Sequence, residues 1–170
     1  MSISPNSKKI YLSYAYVDNQ DFVDNGRGWV SAFKDDLETE ISFLIGQILP
    51  ITIFHDKQFE SPNLLTVKYI RNTDIFISIG TPAYFLSDFC QKELNLFLKR
   101  EDFEPSQQLF LVDKKPFEDM AFQSSFPLQN SFLFYDEKNE LEWSRKNSRE
   151  KYFNQIQKLA QQIHLVLQGK

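Results

Sequence analysis

Apolar residues along the chain fall into two alternating kinds of segment. Five short runs are rich in β-branched and aromatic residues, which is typical of buried strands. Each of them is bounded by polar or turn-forming residues. The predicted strands cover residues 10–14, 48–54, 74–80, 109–112 and 132–135.

Between these runs the apolar residues recur every three or four positions, which predicts helices. The first helix begins at Trp29 and ends at Gly46, a short one covers residues 64–70, and the last carries an apolar face from Tyr152 to Val166. Another begins at residues 81–82, where Thr is suited to cap a helix and Pro to begin one. We expect it to restart at residues 87–88 and to end near residue 100. Residues 17–28 and 55–63 are polar and are predicted to be loops.

The alternation of strands and helices predicts a parallel sheet with helices on both faces. Five strands favour the α/β class and a flavodoxin-like, doubly wound architecture. We expect one domain over residues 1–170, with an ordered core of about residues 8–168. Ligands of such sheets bind at the carboxyl ends of the strands, where the strand order reverses. The loops after Tyr14 and Gly80 should therefore flank any active site.

Composition narrows the function classes. Nineteen Lys and Arg against 23 Asp and Glu give a net charge of −4, which argues against general nucleic-acid binding. The single cysteine, Cys90, excludes an internal disulfide, and no Cys/His spacing suits zinc. The sequence contains neither a signal peptide nor an apolar run of about 18 residues, so we expect a cytoplasmic protein without membrane contact.

Glu93 is the most unusual residue of the predicted helices. Three- and four-residue spacing places it on one face with Phe89, Cys90 and Phe97. A carboxylate in an apolar stripe is costly to bury without partners, and such groups often mark functional sites. The alternative is that Glu93 lies at the edge of the stripe with its carboxylate in water.

Several motifs occur in an order that resembles a bacterial TIR (Toll/interleukin-1 receptor) domain, and together they span nearly the whole chain. The most specific of these motifs is the segment SDFCQKEL, which is similar to the family's S-x-W-C-x-x-E-L pattern. The motifs lie at residues 10–16 (IYLSYAY), 28–30 (GWV), 54–56 (FHD), 74–81 (DIFISIGT) and 87–94 (SDFCQKEL).

The resemblance implies that Glu93 is the catalytic residue of an NAD⁺ glycohydrolase. It also implies that the end of the first strand and the loop after the second strand contribute to the substrate pocket. Phe89 replaces the usual tryptophan, and residues 56–63 lack the usual glycine. The substrate-binding residues expected from this comparison are Ser13, Tyr14, Ala15, Asp56, Phe89, Cys90 and Trp29.

Two of these residues also have simpler interpretations. A single cysteine on an apolar helix face is usually a core residue rather than a nucleophile, and Trp29 is expected to be mainly a core residue whose edge can line the pocket.

We expect NAD⁺ to be a substrate, with no cofactor and no metal. Nicotinamide in NAD⁺ is already cationic and leaves without protonation, so one carboxylate that stabilises the ribosyl cation suffices.

A non-catalytic module for TIR–TIR association is the alternative function. The loop after the second strand carries Phe59 and Lys57, which we expect to mediate self-association. Relatives are usually fused to a sensor domain or act beside a partner subunit. We therefore expect an effector domain of a bacterial antiphage or cell-death system that self-assembly activates. Two other uses of the fold fit poorly: the chain lacks the acidic pair of a phospho-receiver after the first strand, and it lacks the phosphate loop of a flavodoxin there.

Overall fold

A five-stranded, all-parallel sheet forms the centre of the protein, which confirms the predicted α/β class and flavodoxin-like architecture. The structure is a computed structural model and describes residues 8–20, 22–24, 27–54, 61–118 and 130–169. The strands are β1 (Ile10–Ser13), β2 (Phe22–Asp24), β3 (Arg27–Gly28), β4 (Ile51–Thr52), β5 (Ile75–Gly80), β6 (Leu109–Asp113) and β7 (Ser131–Leu133).

The strand order in the sheet is β4-β1-β5-β6-β7, whereas β2 and β3 form a separate antiparallel ribbon. The order reverses between β1 and β5, where Ser13 pairs with Ser78. A ligand of a doubly wound sheet binds at the carboxyl ends of these two strands. A ligand site is therefore expected at the carboxyl ends of β1 and β5.

The helices cover both faces of the sheet. Their bounds are α1 (Trp29–Ile45), α2 (Leu64–Arg71), α3 (Pro82–Leu86), α4 (Asp88–Leu98), α5 (Pro105–Gln108) and α6 (Arg149–Leu167). Helices α1 and α6 pack together on one face, and α2, α3 and α4 cover the other. In the described part of the chain, no helix is both long and apolar enough to cross a bilayer.

Local sequence signals set the helix ends. Gly46 adopts φ 73°, a left-handed conformation that suits glycine, and its N–H donates to Ser42 O at 3.0 Å, so α1 ends there. Thr81 Oγ1 accepts a hydrogen bond from Tyr84 N and begins α3, and Ser87 Oγ accepts one from Cys90 N and begins α4. The predicted restart at residues 87–88 is therefore confirmed.

Two predicted segments differ from the structure. The strand predicted at residues 48–54 contains only two paired residues, because Pro50 has no N–H to donate and Ile48 is 82% exposed. The predicted loop at residues 17–28 includes β2, β3 and part of a 3₁₀ helix (Tyr16–Asn19). Asn19 stabilises this segment because its Oδ1 accepts a hydrogen bond from Ser31 N at 2.9 Å.

Candidate active site at the end of β1

The candidate site lies between the end of β1 and helix α4. Successive side chains of a strand point to opposite faces. Ile10 and Leu12 therefore pack against α1 and α6, whereas Tyr11 lies in the cluster beneath α4. Ser13 follows Tyr11 by two residues and faces α4 as well, and Glu93 lies above both of them in the middle of that helix.

The Glu93 carboxylate is fully buried and accepts hydrogen bonds from protein hydroxyls on both of its oxygens. Tyr11 OH donates a short hydrogen bond to Oε1, and Ser13 Oγ lies 2.5 Å from Oε2. The alternative of an edge position with the carboxylate in water is therefore wrong, because Glu93 has 0% exposure. Hydrogen bonds to both oxygens offset the cost of burying this polar group.

Two further hydroxyls extend this contact into a chain. Tyr84 OH donates to Ser13 Oγ at 3.2 Å, and Ser78 Oγ lies 2.9 Å from Tyr84 OH. A hydroxyl has one proton to donate, so Ser13 gives its proton to Glu93 and Tyr84 gives its own to Ser13. Ser78 must therefore donate to Tyr84. All donors in this series of hydrogen bonds therefore point the same way, from Ser78 towards the Glu93 carboxylate. Such a series strengthens its last hydrogen bond.

Burial keeps Tyr84 a donor. Desolvation raises the pKa of the Tyr84 hydroxyl well above its usual value, and the nearby Cys90 and Glu93 raise it further. Tyr84 therefore remains protonated over the whole physiological range. The hydroxyls of Tyr11 and Ser13 therefore hold the Glu93 carboxylate as neutral donors.

The loops that follow β1 and β5 are joined beside this cluster. Asp18, in the 3₁₀ helix after β1, is 5% exposed, and its carboxylate accepts a hydrogen bond from Thr81 Oγ1 at the end of β5. The same Thr81 oxygen caps α3. This contact joins the two loops that were expected to flank an active site.

The residues predicted to bind substrate divide between the two faces of the sheet. Ala15 and Cys90 are buried in the cluster beneath α4 with Tyr11, and Phe89 on α4 is 5% exposed. Tyr14 and Trp29 are buried in the cluster on the opposite face. The structure therefore brings Ser13, but not Tyr14 or Trp29, to Glu93.

Trp29 is held in the core by specific contacts. Its Nε1–H donates to Trp143 O at 2.9 Å, and its ring stacks on Phe33 with centroids 5.0 Å apart. The prediction that Trp29 is mainly a core residue is confirmed.

Three other predicted site residues lie outside the described residues. They are Asp56 and the predicted self-association residues Lys57 and Phe59.

Sequence reasoning did not identify Tyr11, Ser78 or Tyr84 as members of the site. A signal for two of them exists in the chain. Tyr11 shares a strand face with Ser13, and the doubly wound strand order places Ser78 beside Ser13. Tyr84 has no comparable signal, because its contact depends on how the short helix α3 sits on the sheet.

A second buried charged group lies at the same edge of the sheet. Lys114, which follows β6, is fully buried, and its Nζ lies 3.0 Å from Glu142 Oε2 and 5.4 Å from the centre of the Trp29 ring. Glu142 therefore anchors the segment 136–142 to the buried Lys114. Burial also raises the pKa of the neighbouring Asp113 carboxyl to about 6.

One cavity lined by described residues lies away from Glu93. It has a volume of about 780 Å³ and includes Lys9 and Leu49, which precede β1 and β4. It is therefore at the amino ends of the strands.

The described residues also contain no group of three His, Cys, Asp or Glu side chains that could hold a metal ion.

No protein-family model matches the chain, and no curated protein sequence matches it.

Proposed function

We propose that this chain is a TIR-type NAD⁺ glycohydrolase in which Glu93 is the catalytic carboxylate. One observation carries the proposal: a fully buried carboxylate accepts two hydroxyl hydrogen bonds beside β1, where the strand order of the sheet reverses. Open α/β sheets bind their ligands at that point. The sequence motif around Glu93 agrees with this location.

The proposed reaction breaks the bond between nicotinamide and C1′ of the ribose. Nicotinamide leaves as a neutral base with the bonding electron pair, and water adds to C1′ and releases a proton. The products are nicotinamide and ADP-ribose, or a cyclic isomer if a hydroxyl or ring nitrogen of the substrate replaces water. Glu93 stabilises the positive charge that develops on the ribosyl group, and a dry environment strengthens that effect.

The hydroxyl partners of Glu93 support a role in holding ribose. Tyr11 and Ser13 present one hydroxyl to each carboxylate oxygen, which is the pattern that the two hydroxyls of a ribose ring also offer. Phe89 is the aromatic residue of α4 next to Cys90, and we assign it to contact the nicotinamide or adenine ring. Because Tyr14 and Trp29 lie on the opposite face, the proposal does not include them in the pocket.

The second candidate is a non-catalytic module for TIR–TIR association. The observation that favours it is the 0% exposure of Glu93, since a carboxylate that solvent does not reach can join α4 to β1 without contacting a substrate. In that case Ser78, Tyr84 and Ser13 form a structural hydrogen-bond network. The two candidates make different predictions for the isolated chain.

The experiment that separates them measures nicotinamide release over a range of protein concentrations. The full chain is incubated with NAD⁺, the products are quantified by chromatography, and light scattering gives the oligomeric state of the same samples. Release of nicotinamide that rises more steeply than protein concentration supports an enzyme activated by self-association. Self-association without release at any concentration supports the non-catalytic module and contradicts the proposal.

A further inference from the structure

Tyr11 donates a hydrogen bond to the Glu93 carboxylate from a buried ring. Its ring is fully buried and packs against Phe54, Tyr69 and Phe76 with centroids 6.0, 6.0 and 5.5 Å away. These contacts fix the ring on the strand, so its hydroxyl is aimed at Glu93 Oε1. A buried tyrosine hydroxyl that meets a carboxylate in this way needs an explanation beyond packing, because phenylalanine would fill the same volume.

Both oxygens of Glu93 already have hydroxyl partners, so a ribose hydroxyl must replace one of them in order to bind. Ser13 is tied to Tyr84 and Ser78, and its displacement would disturb the whole chain of hydroxyls. Tyr11 donates to the other oxygen, Oε1, whereas the hydrogen bonds that link Ser78, Tyr84 and Ser13 end at Oε2. The exchange is therefore expected at Oε1.

We infer that Tyr11 is a positioning residue whose hydroxyl occupies, or caps, Glu93 Oε1 in the resting domain. It lowers the affinity for substrate, because the substrate must displace this hydroxyl in order to bind. This inference rests on the proposed function, since it names the contact that the substrate must replace. Displacing the cap is part of binding and is complete before the bond to nicotinamide breaks. Its cost therefore appears in KM and leaves kcat unchanged.

The test uses Tyr11→Phe, which removes the hydroxyl and keeps the ring contacts. We expect KM for NAD⁺ to fall by about tenfold. This factor corresponds to the lower end of the free-energy range that hydrogen bonds to charged groups contribute. The expected kcat lies within about threefold of the wild-type value, because Ser13 still holds Oε2. An unchanged or higher KM contradicts the inference.

A second readout does not depend on catalysis. Carbodiimide-activated amidation of carboxylates, followed by mass spectrometry, measures how fast Glu93 becomes accessible. We expect Glu93 to react about tenfold faster in Tyr11→Phe than in the wild-type protein. In the wild-type protein itself, we expect Glu93 to react at least about tenfold more slowly than the exposed Glu150. That second comparison needs no variant and so does not depend on how Tyr11→Phe folds.

Tyr152→Phe is the matched control. Tyr152 is also buried, and its hydroxyl donates to the Asp36 carboxylate at 2.9 Å on the opposite face of the sheet. This variant loses the same kind of bond but should change neither the labelling of Glu93 nor KM. Equal labelling of Glu93 in both variants and the wild type overturns the inference. Faster labelling in Tyr11→Phe without NAD⁺ cleavage by any form supports the cap and refutes the proposed function.

Discussion

Ser13 Oγ and Glu93 Oε2 lie 2.5 Å apart although 80 residues separate them in the chain. The contact joins the end of β1 to the middle of α4 at the edge of the sheet where ligands of this architecture bind. It places a carboxylate, an aromatic helix residue and two strand hydroxyls in one small region. A chemical role for Glu93 and a structural role for it lead to different outcomes in the experiments below.

Cys90 is expected to be a core residue rather than a nucleophile. Its side chain is 1% exposed and packs in the cluster beneath α4. Cys90→Ala should therefore retain nicotinamide release, and it should lower the free energy of unfolding by about 1 kcal/mol because a small cavity remains. Urea denaturation and the release assay check the two parts. Loss of turnover with an intact fold would show that the thiol takes part in the reaction.

Asp113 is expected to make stability depend on pH. Burial raises the pKa of its carboxyl to about 6, above the unfolded value of 3.8. The folded state then binds more protons than the unfolded state between about pH 4 and 6, so this residue lowers stability as pH rises through that window. Asp113→Asn removes the ionised form and should stabilise the protein by about 1–2 kcal/mol at pH 7, but not at pH 4.

Urea denaturation of both proteins at pH 4, 5, 6 and 7 measures this difference. The predicted result is a gap between wild type and Asp113→Asn that opens as pH rises. A gap that is equal at every pH would mean that titration of Asp113 is not its source.

The buried Lys114 depends on its partner Glu142. Glu142→Gln leaves the ammonium buried with a neutral neighbour, and we expect a loss of about 2–3 kcal/mol in the free energy of unfolding. Lys114→Met removes the buried charge and keeps most of the volume, so it should cost less than about 1 kcal/mol. Denaturation of both variants and of the double variant gives the coupling energy. Equal losses in the two single variants would contradict this explanation.

The alternation of strand and helix patterns predicted the parallel sheet, and capping residues predicted that helices begin at Thr81 and Ser87 and that α1 ends at Gly46. These features depend on local signals or on periodicity, both of which the chain carries. The length of β4 was overestimated, since Ile48 is exposed and Leu49 is buried in the core without pairing with β1. An apolar run does not reveal whether a neighbouring strand is there to pair with it.

The candidate site was predicted in part. Glu93 stood out because its charge broke an apolar stripe, and Ser13 was placed by its position at the end of the first strand. Tyr11 was missed because an aromatic residue in a strand suggests packing, and nothing local shows that its hydroxyl meets a carboxylate 82 residues later. The family resemblance implied that Tyr14 lies in the pocket with Glu93, yet the alternation of strand side chains places it on the other face.

The central claim is that Glu93 carries out NAD⁺ cleavage, and Glu93→Gln tests it most directly. Glutamine keeps the size of the side chain but lacks the charge, and Glu150→Gln on the exposed first turn of α6 is the control. The measurement is the rate of nicotinamide release, with near-ultraviolet circular dichroism to confirm that each variant is folded. We predict release from the wild type and from Glu150→Gln, and a loss of at least about 10³-fold in a folded Glu93→Gln. Undiminished release from Glu93→Gln would contradict the claim.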